Sequence, residues 1–200
     1  MSRLHVYSHT LLPRDLLHQL NRTNIMAFPK LQKIVVTTSL QIDSSETEGG
    51  VPGKKSAASK NVSGYFALEL ICGQKFKKTR ASQFISGFQL RKGEIVGCQS
   101  TLRQHLLFSF LDKILLGILP QMREFSGFPA LQHEKDSLCS QVSCGVENFL
   151  LFPECENHYE LFQALRGFQI TLVTNIKSSQ ETGLLLSGYQ IPFRMIESSR

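Results

Sequence analysis

Two kinds of apolar spacing alternate along the chain and predict both strands and helices. Residues 30–40 have a β-branched centre, and residues 168–174 place apolar side chains on one face, so each segment is predicted to be a strand. Between them, residues 103–119 carry six apolar side chains at helical spacing, which predicts the longest helix of the chain. Pro120 follows and is expected to end that helix.

Shorter segments in the first half add two helices and a basic hairpin. Residues 11–20 have an amphipathic helical pattern, and residues 65–72 predict a helix that ends at Gly73, since glycine is common just after helices. Two basic extended segments follow, 76–80 and 94–102, with a turn at Ser86-Gly87-Phe88 between them.

The second half predicts a strand over residues 146–152 and one or two helical turns over 158–165. Ser178-Ser179-Gln180-Glu181 fits a capping box that opens a last helix through residue 186. Strands and helices interleave without the regular rhythm of a doubly wound sheet.

These elements predict an α+β fold with one mixed or antiparallel sheet and helices packed mainly on one face. Residues 43–63 are rich in serine, glutamate, glycine, lysine and proline and hold little to bury, so we expect a flexible polar loop there. At 200 residues the chain is predicted to be a single domain spanning residues 1–200.

Composition excludes several classes of protein. The longest uncharged apolar run, residues 114–120, is far shorter than the roughly 20 residues needed to cross a bilayer, so we expect no membrane partner. The chain does not open with a secretory signal pattern, and its five cysteines are expected to be reduced.

The positive charge of the chain is concentrated in one stretch. Residues 74–103 contain seven of the 22 cationic side chains and one of the 16 acidic ones, so the remaining residues are balanced. A chain that is neutral elsewhere and strongly basic in one stretch has the charge distribution of a nucleic-acid-binding face, although a solvated basic surface would look similar.

Several motifs for cofactors or metals are incomplete. The glycine-rich residues 49–56 lack the spacing of a phosphate-binding loop. Cys139, Cys144, Cys155 and His158 lack the tight pairs of a zinc site, which favours buried thiols. No catalytic motif is present, so we expect no enzyme activity, no metal and no cofactor.

The segment Arg166-Gly167-Phe168 begins like the RNA-stacking strand of an RRM domain, but the match fails at Gln169. The residues Phe168, Ile170 and Leu172 are more easily explained as core. An RRM-like single-stranded RNA-binding protein outside the ribosome stays open as the alternative hypothesis.

Seven sequence segments, in the same order along the chain, resemble segments of the large-subunit ribosomal protein five family, the bacterial-type 5S rRNA binder. They are NRTNIMAFPKLQKIVV (21–36), CGQKFKKTRA (72–81), ISGFQLRKGEIVGCQSTLR (85–103), LPQMREFSG (119–127), FPE (152–154), RGFQITLVT (166–174) and PFR (192–194). Several ordered phrases are far more specific than one motif. The resemblance covers almost the whole chain except residues 43–65.

The resemblance implies an α+β structural protein of the large ribosomal subunit that binds 5S rRNA in the central protuberance. It also implies large-subunit rRNA, neighbouring central-protuberance proteins and peptidyl-site (P-site) tRNA as partners. The rRNA-binding residues implied by the family's motifs and by the basic stretch are Lys33, Thr37, Gln74, Lys75, Lys77, Lys78, Arg80, Phe88, Arg91, Lys92, Thr101 and Arg103. Cations neutralise phosphates, while glutamine and threonine can bond a 2′-hydroxyl or a base edge.

The chain departs from the family at three places. Thr37 stands where the family usually has asparagine, residues 43–63 replace a helix, and residues 130–142 lack the glycines and charges of the tRNA-facing loop. This drift and the start at Met1 resemble an organelle-encoded member. We therefore expect a mitochondrial ribosome, with the plastid or a bacterial cytoplasm as alternatives.

Overall fold

The computed structural model describes residues 2–21, 24, 28–39, 64–88, 90–122, 125, 127–129, 140–162, 165, 167–176 and 178–193. Within them the helices are α1 (Arg3–Thr10), α2 (Leu12–Leu20), α3 (64–72), α4 (Gln104–Lys113), α5 (Leu119–Gln121), α6 (Pro153–Glu156), α7 (Tyr159–Phe162) and α8 (Ser179–Gly188). The strands are β1 (Leu31–Ser39), β2 (Lys77–Arg80), β3 (Ile95–Leu102), β4 (Gln141–Val146) and β5 (Phe168–Thr174).

The strands form one antiparallel sheet in the order β2-β3-β1-β5-β4. Burial alternates along the strands: on β5, Phe168, Ile170, Leu172 and Thr174 are buried, whereas the residues between them are not. Such alternation means that one face of the sheet is covered and the other is open. The predicted α+β class is confirmed.

The chain divides into two compact units, and each has its own buried side chains. Unit 1 is drawn from Met1–Val35, Leu102–Cys144 and Ile170–Arg200, and unit 2 from Val36–Thr101 and Gly145–Gln169. In unit 1, α1 packs on α2 and α4, and α2 packs on α8. In unit 2, the ring of Phe168 lies 4.8 Å from that of Phe149 and 5.5 Å from that of Phe152.

Most elements lie where the sequence predicts them. Helix α3 ends at Gly73, whose φ of +66° suits glycine and whose backbone N–H donates to Glu69 at 2.8 Å. Strands β1, β2, β3 and β5 occupy the predicted extended segments, and residues 86–88 form the predicted turn as a short 3-10 helix.

The predicted strand over residues 146–152 is wrong. Strand β4 ends at Val146, and Phe149–Leu151 forms a 3-10 turn that leads into α6. The apolar run is buried by the packing of Phe149 and Phe152 on Phe168 rather than by pairing with a strand. Residues three apart share one side of a 3-10 turn, which explains why both rings point inward.

Two details of the predicted helices differ from the structure. Pro120 does not end its helix, because a π-helical segment, Ile114–Ile118, precedes α5, and α5 carries Pro120 in its first turn and runs to Gln121. Ser178 is the N-cap of α8 as predicted, but its side chain makes no cap hydrogen bond, so that half of the capping box is not formed.

The predicted flexible loop, residues 43–63, lies outside the described residues, as do residues 130–139 of the segment compared with the tRNA-facing loop. The single-domain prediction stays a prediction. In the part of the chain that the structure describes, no helix is both long enough and apolar enough to cross a bilayer.

Candidate nucleic-acid interface

Most of the predicted rRNA-binding residues belong to unit 2. They are Thr37, Gln74, Lys75, Lys77, Lys78, Arg80, Phe88, Arg91, Lys92 and Thr101. The other two, Lys33 on β1 and Arg103 at the N-cap of α4, belong to unit 1. Unit 2 therefore brings together ten of the twelve predicted residues.

The pairing of β2 with β3 decides which side chains share a face. Lys77 lies opposite Gln99, Lys78 opposite Cys98, and Thr79 opposite Gly97. Cys98 and Ser100 are both 1% exposed, so their side chains face the covered side of the sheet. Because directly opposed residues share a face, Lys77 and Lys78 point to opposite sides.

The open face of unit 2 is polar. By the same alternation it carries Thr37 of β1 and Gln169 of β5, since Val36 and Phe168 beside them are buried. Among the polar residues of this open face are Thr37, Lys77, Thr79, Gln99, Thr101 and Gln169. Thr79, Gln99 and Gln169 were not predicted from the sequence, although strand alternation around Thr101 and Phe168 indicates two of them.

A groove of about 850 Å³ lies at this face in unit 2. Thr37, Thr79, Asn148 and Gln169 give its lining hydroxyl and amide groups, and Glu147 adds one carboxylate. The apolar part of the lining comes from Val96, Val146, Leu165 and Phe168. The hydroxyl and amide groups suit the edge of a base or a ribose hydroxyl better than a phosphate, which needs cations.

Gly97 allows the strands beside the groove to approach closely. A Cβ atom at this position would lie 2.6 Å from the carbonyl oxygen of Thr38 and 3.0 Å from the Thr79 hydroxyl. A larger residue would push β1 and β2 away from β3.

Lys78 is held on the covered side of the sheet. Its ammonium lies 5.2 Å from the ring centroid of Tyr65 on α3, and that ring stacks on Phe76 at 4.5 Å. This is the geometry of a cation–π contact. Burial, and then the Cys98 thiol, raise the pKa of the Tyr65 phenol, while Arg80 lowers it, so the ring stays neutral under the lysine.

Gln74, which precedes β2 in the chain, forms two hydrogen bonds to residues of β3. Its amide nitrogen donates to the Ser100 hydroxyl at 2.9 Å and to the backbone carbonyl of Thr101 at 2.7 Å. The carbonyl can only accept, which fixes the orientation of the amide. With both N–H groups used in this way, Gln74 offers a ligand its oxygen, an acceptor.

Residues 81–94 form the hairpin loop between β2 and β3. Its backbone is bonded from Ala81 N–H to the Glu94 carbonyl at 2.9 Å, and Ile85 and Leu90 exchange bonds of 3.1 and 3.2 Å. Arg80 donates to the Gly93 carbonyl at 2.9 Å, and the Glu94 carboxylate accepts from Arg91 N–H at 3.0 Å. The loop is therefore tied at its base and at its middle.

The cations of unit 2 that the structure describes are exposed. They are Lys75, Lys77, Lys78, Arg80, Arg91 and Lys92. Among the described residues, none of them forms an ion pair with a carboxylate, whereas Arg3 and Asp112 of unit 1 form one at 3.7 Å. Except for Lys78, whose ammonium lies over the Tyr65 ring, these cations are placed to contact phosphates.

Phe88 lies in the 3-10 turn at the tip of the hairpin loop. Its stacking on RNA stays a prediction. Thr37 lies on the open face and lines the groove, so its hydroxyl is placed where a base edge or a ribose could meet it.

Of the cysteines that the structure describes, Cys72, Cys98 and Cys155 are buried and Cys144 is partly exposed. Burial raises the pKa of Cys98 to about 11, and burial together with Glu154 raises that of Cys155 to about 11. The described residues hold no cluster of three potential metal ligands, and Cys139 lies outside them.

Phe168 belongs to the core, where it is 4% exposed. The RRM-like hypothesis needs this ring to face RNA. Its burial against Phe149 and Phe152 removes the feature that suggested that alternative.

Known proteins match the chain along nearly its whole length. The family model for the C-terminal part of the ribosomal L5 family matches residues 95–193. The chain is 34% identical to large ribosomal subunit protein uL5m of Reclinomonas americana over 192 residues, which is 96% of this chain and 98% of the relative. It is 35% identical to uL5 of Geotalea daltonii over 195 residues, 97% of this chain and 99% of the relative.

This chain belongs to the ribosomal L5 family. The resemblance expected from the sequence is thereby confirmed. Members of the uL5 family are structural, non-enzymatic components of the ribosome, so the expectation that the chain is not an enzyme is confirmed as well.

Proposed function

We propose that this protein is a structural constituent of the large ribosomal subunit that binds 5S rRNA through unit 2. Membership of the uL5 family supports the ribosomal role. The observation that carries the RNA contact is the open face, where Lys77 lies on the same side of β2 and β3 as Thr79, Gln99 and Thr101. A lysine that can bind a phosphate and polar groups that can bond a base edge or a ribose hydroxyl therefore lie on one face, where a single RNA can contact all of them.

The chemistry of this surface fits folded RNA. Exposed lysines and arginines on β2 and in the hairpin loop neutralise phosphates, and hydroxyl and amide groups along the open face bond 2′-hydroxyls and base edges. In this proposal the RNA contacts Thr37 and Thr101 on the open face, and the hairpin loop contacts it as well. Large-subunit rRNA and neighbouring proteins of the central protuberance complete the surroundings of the chain in this proposal.

The test is binding of the purified full-length chain to 5S rRNA and to a scrambled RNA of the same length. We expect tighter binding to 5S rRNA, with an affinity that falls steeply as salt rises. Equal affinity for the two RNAs would contradict the proposal. Sedimentation of the chain with a large subunit that carries 5S rRNA is the matching observation in extracts of its source.

A contact with P-site tRNA is part of the proposal at the level of the family only. Residues 130–139 of the segment concerned, residues 130–142, lie outside the described residues, and we assign the contact to no residue. We also propose a mitochondrial ribosome as the location. The uL5m relative supports this, but bacterial relatives match to the same degree, so fractionation of the source cells decides between mitochondrion, plastid and bacterial cytoplasm.

A further inference from the structure

The hairpin loop presents an aromatic ring that the family phrases do not include. Phe84 falls between residues 72–81 and 85–103, the two phrases that resemble the family in this region. Its side chain is 67% exposed, and Ile85 beside it is 45% exposed. An apolar ring this accessible contributes little to the folding of the chain, and with Ile85 it forms an exposed apolar pair in a basic loop where a ligand can reach it.

The bridge in the middle of the loop brings Phe84 near a cation. Ile85 and Leu90 are joined by two backbone hydrogen bonds. Phe84 precedes this bridge and Arg91 follows it, so the two residues flank the same bridged pair. Arg91 and Lys92 are both exposed, and the carboxylate of Glu94 accepts from the backbone of Arg91.

An exposed ring flanked by cations is the composition of a stacking platform for unpaired bases. Every base has a flat face that can stack on a phenyl ring, and adjoining cations hold the phosphates on either side of that base. The same cations would repel a basic protein surface, and protein surfaces that meet RNA are themselves basic. Charge complementarity therefore favours RNA over a neighbouring RNA-binding protein as the occupant.

We propose that Phe84 stacks on an unpaired nucleobase of the RNA bound by unit 2, with Arg91 and Lys92 on the adjoining phosphates. This inference rests on the proposed RNA-binding function. It adds a contact in the hairpin loop and names its ligand as a base that is not in a duplex.

The chain contains no tryptophan, so a single substitution creates a unique fluorophore. Phe84→Trp keeps a flat ring at the site. Phe66→Trp is the matched control, because Phe66 on α3 is also in unit 2 and is 57% exposed. On titration with 5S rRNA, we expect the emission of the Phe84→Trp chain to be quenched by base stacking and that of the Phe66→Trp chain to stay nearly constant.

The alanine variants give the affinity. Phe84→Ala should weaken binding to 5S rRNA about 5- to 150-fold, the range of one lost base–aromatic stack, whereas Phe66→Ala should bind like the parent chain. Phe84→Tyr should bind within a small factor of the parent. Urea unfolding of each variant shows that the fold is intact, which is expected because both rings are exposed.

Two failures can be told apart. If the parent chain does not bind 5S rRNA, the proposed function and this inference both fall. If the parent binds but Phe84→Ala binds equally well and the tryptophan at this position does not respond to RNA, base stacking is overturned while RNA binding stands. A response of Phe84→Trp to a purified ribosomal protein, with none to RNA, would overturn it in the same way.

Discussion

The amide nitrogen of Gln74 donates a 2.7 Å hydrogen bond to the backbone carbonyl oxygen of Thr101. Both residues were predicted from family resemblance to contact RNA, yet their parts differ. Gln74 holds β3 in place through its nitrogen, while the side chain of Thr101 lies on the open face.

Replacing Gln74 by alanine should therefore harm both the fold and the binding of RNA. The change leaves the Ser100 hydroxyl and the Thr101 carbonyl without these bonds, and we expect the free energy of unfolding to fall by about 1–3 kcal/mol. Urea unfolding measures the stability, and 5S rRNA titration measures the affinity. Thr101→Val is the matched variant, because it keeps the backbone bond and should weaken RNA binding with little change in stability. If Gln74→Ala is as stable as the parent chain, the bracing role is refuted.

Lys77 and Lys78 should differ in their effect on salt dependence. The sequence does not separate these adjacent lysines, but β2 sends them to opposite faces, and Lys78 lies over the Tyr65 ring. If RNA lies on the open face, Lys77→Ala should reduce the slope of log affinity against log salt by about one unit, and Lys78→Ala by clearly less. Arg14→Ala, an exposed cation of α2 in unit 1, serves as the control. Equal slopes for the two lysine variants would argue that RNA does not lie on that face.

Gly97→Ala should destabilise the chain by about 1–3 kcal/mol, because the added methyl group meets the Thr38 carbonyl at 2.6 Å. Gly145→Ala is a close comparison. Gly145 also lines the groove, but a Cβ there meets nothing within 4 Å, so little change is expected. Thermal unfolding of both variants tests the prediction. Similar losses at the two glycines would mean that the close approach of the strands is not what matters.

The buried thiols predict a loss of stability in alkali. Cys98 and Cys155 have pKa values of about 11 in the folded chain, whereas an unfolded cysteine has a pKa of about 8.5. The unfolded chain therefore gives up these protons first, so the free energy of unfolding falls as pH rises from about 8.5 towards 11, on the order of 2 kcal/mol per thiol by pH 10.

The variant for this test is Cys98→Ala, compared with the parent chain by urea unfolding at pH 8 and pH 10. Whatever its absolute stability, the variant should lose less on going from the lower to the higher pH. An unchanged pH dependence would show that Cys98 does not supply the effect.

Much of the fold follows from local rules that a sequence displays. The β-branched centre of β1, the alternation along β5 and the glycine after α3 each predict an element that the structure contains. The failures arise where packing decides. Phe149 and Phe152 have the composition of a strand but turn inward on Phe168 in a 3-10 turn, and a π-helical segment lets the helix continue past Pro120.

The candidate interface was predictable in composition but not in arrangement. Charge concentration indicated the basic stretch, and family resemblance indicated Gln74 and Thr101. Neither could separate Lys77 from Lys78, because that requires the register of β2 on β3 and hence a pairing between distant residues. The same lack of a register explains why Thr79 was not predicted. Phe84 was not predicted because the neighbouring residues in the sequence do not show whether a phenylalanine is exposed or buried.

The internal bonding of residues 81–94 has a consequence for the thermodynamics of association. A basic loop without such bonds would lose much conformational entropy when it became ordered on RNA. Here Ala81, Glu94, Ile85 and Leu90 are already paired in the chain on its own, and Arg80 is already bonded to Gly93. These bonds set the backbone shape of the loop when the chain folds. Binding RNA therefore costs less conformational entropy, and more of the free energy of each contact contributes to affinity.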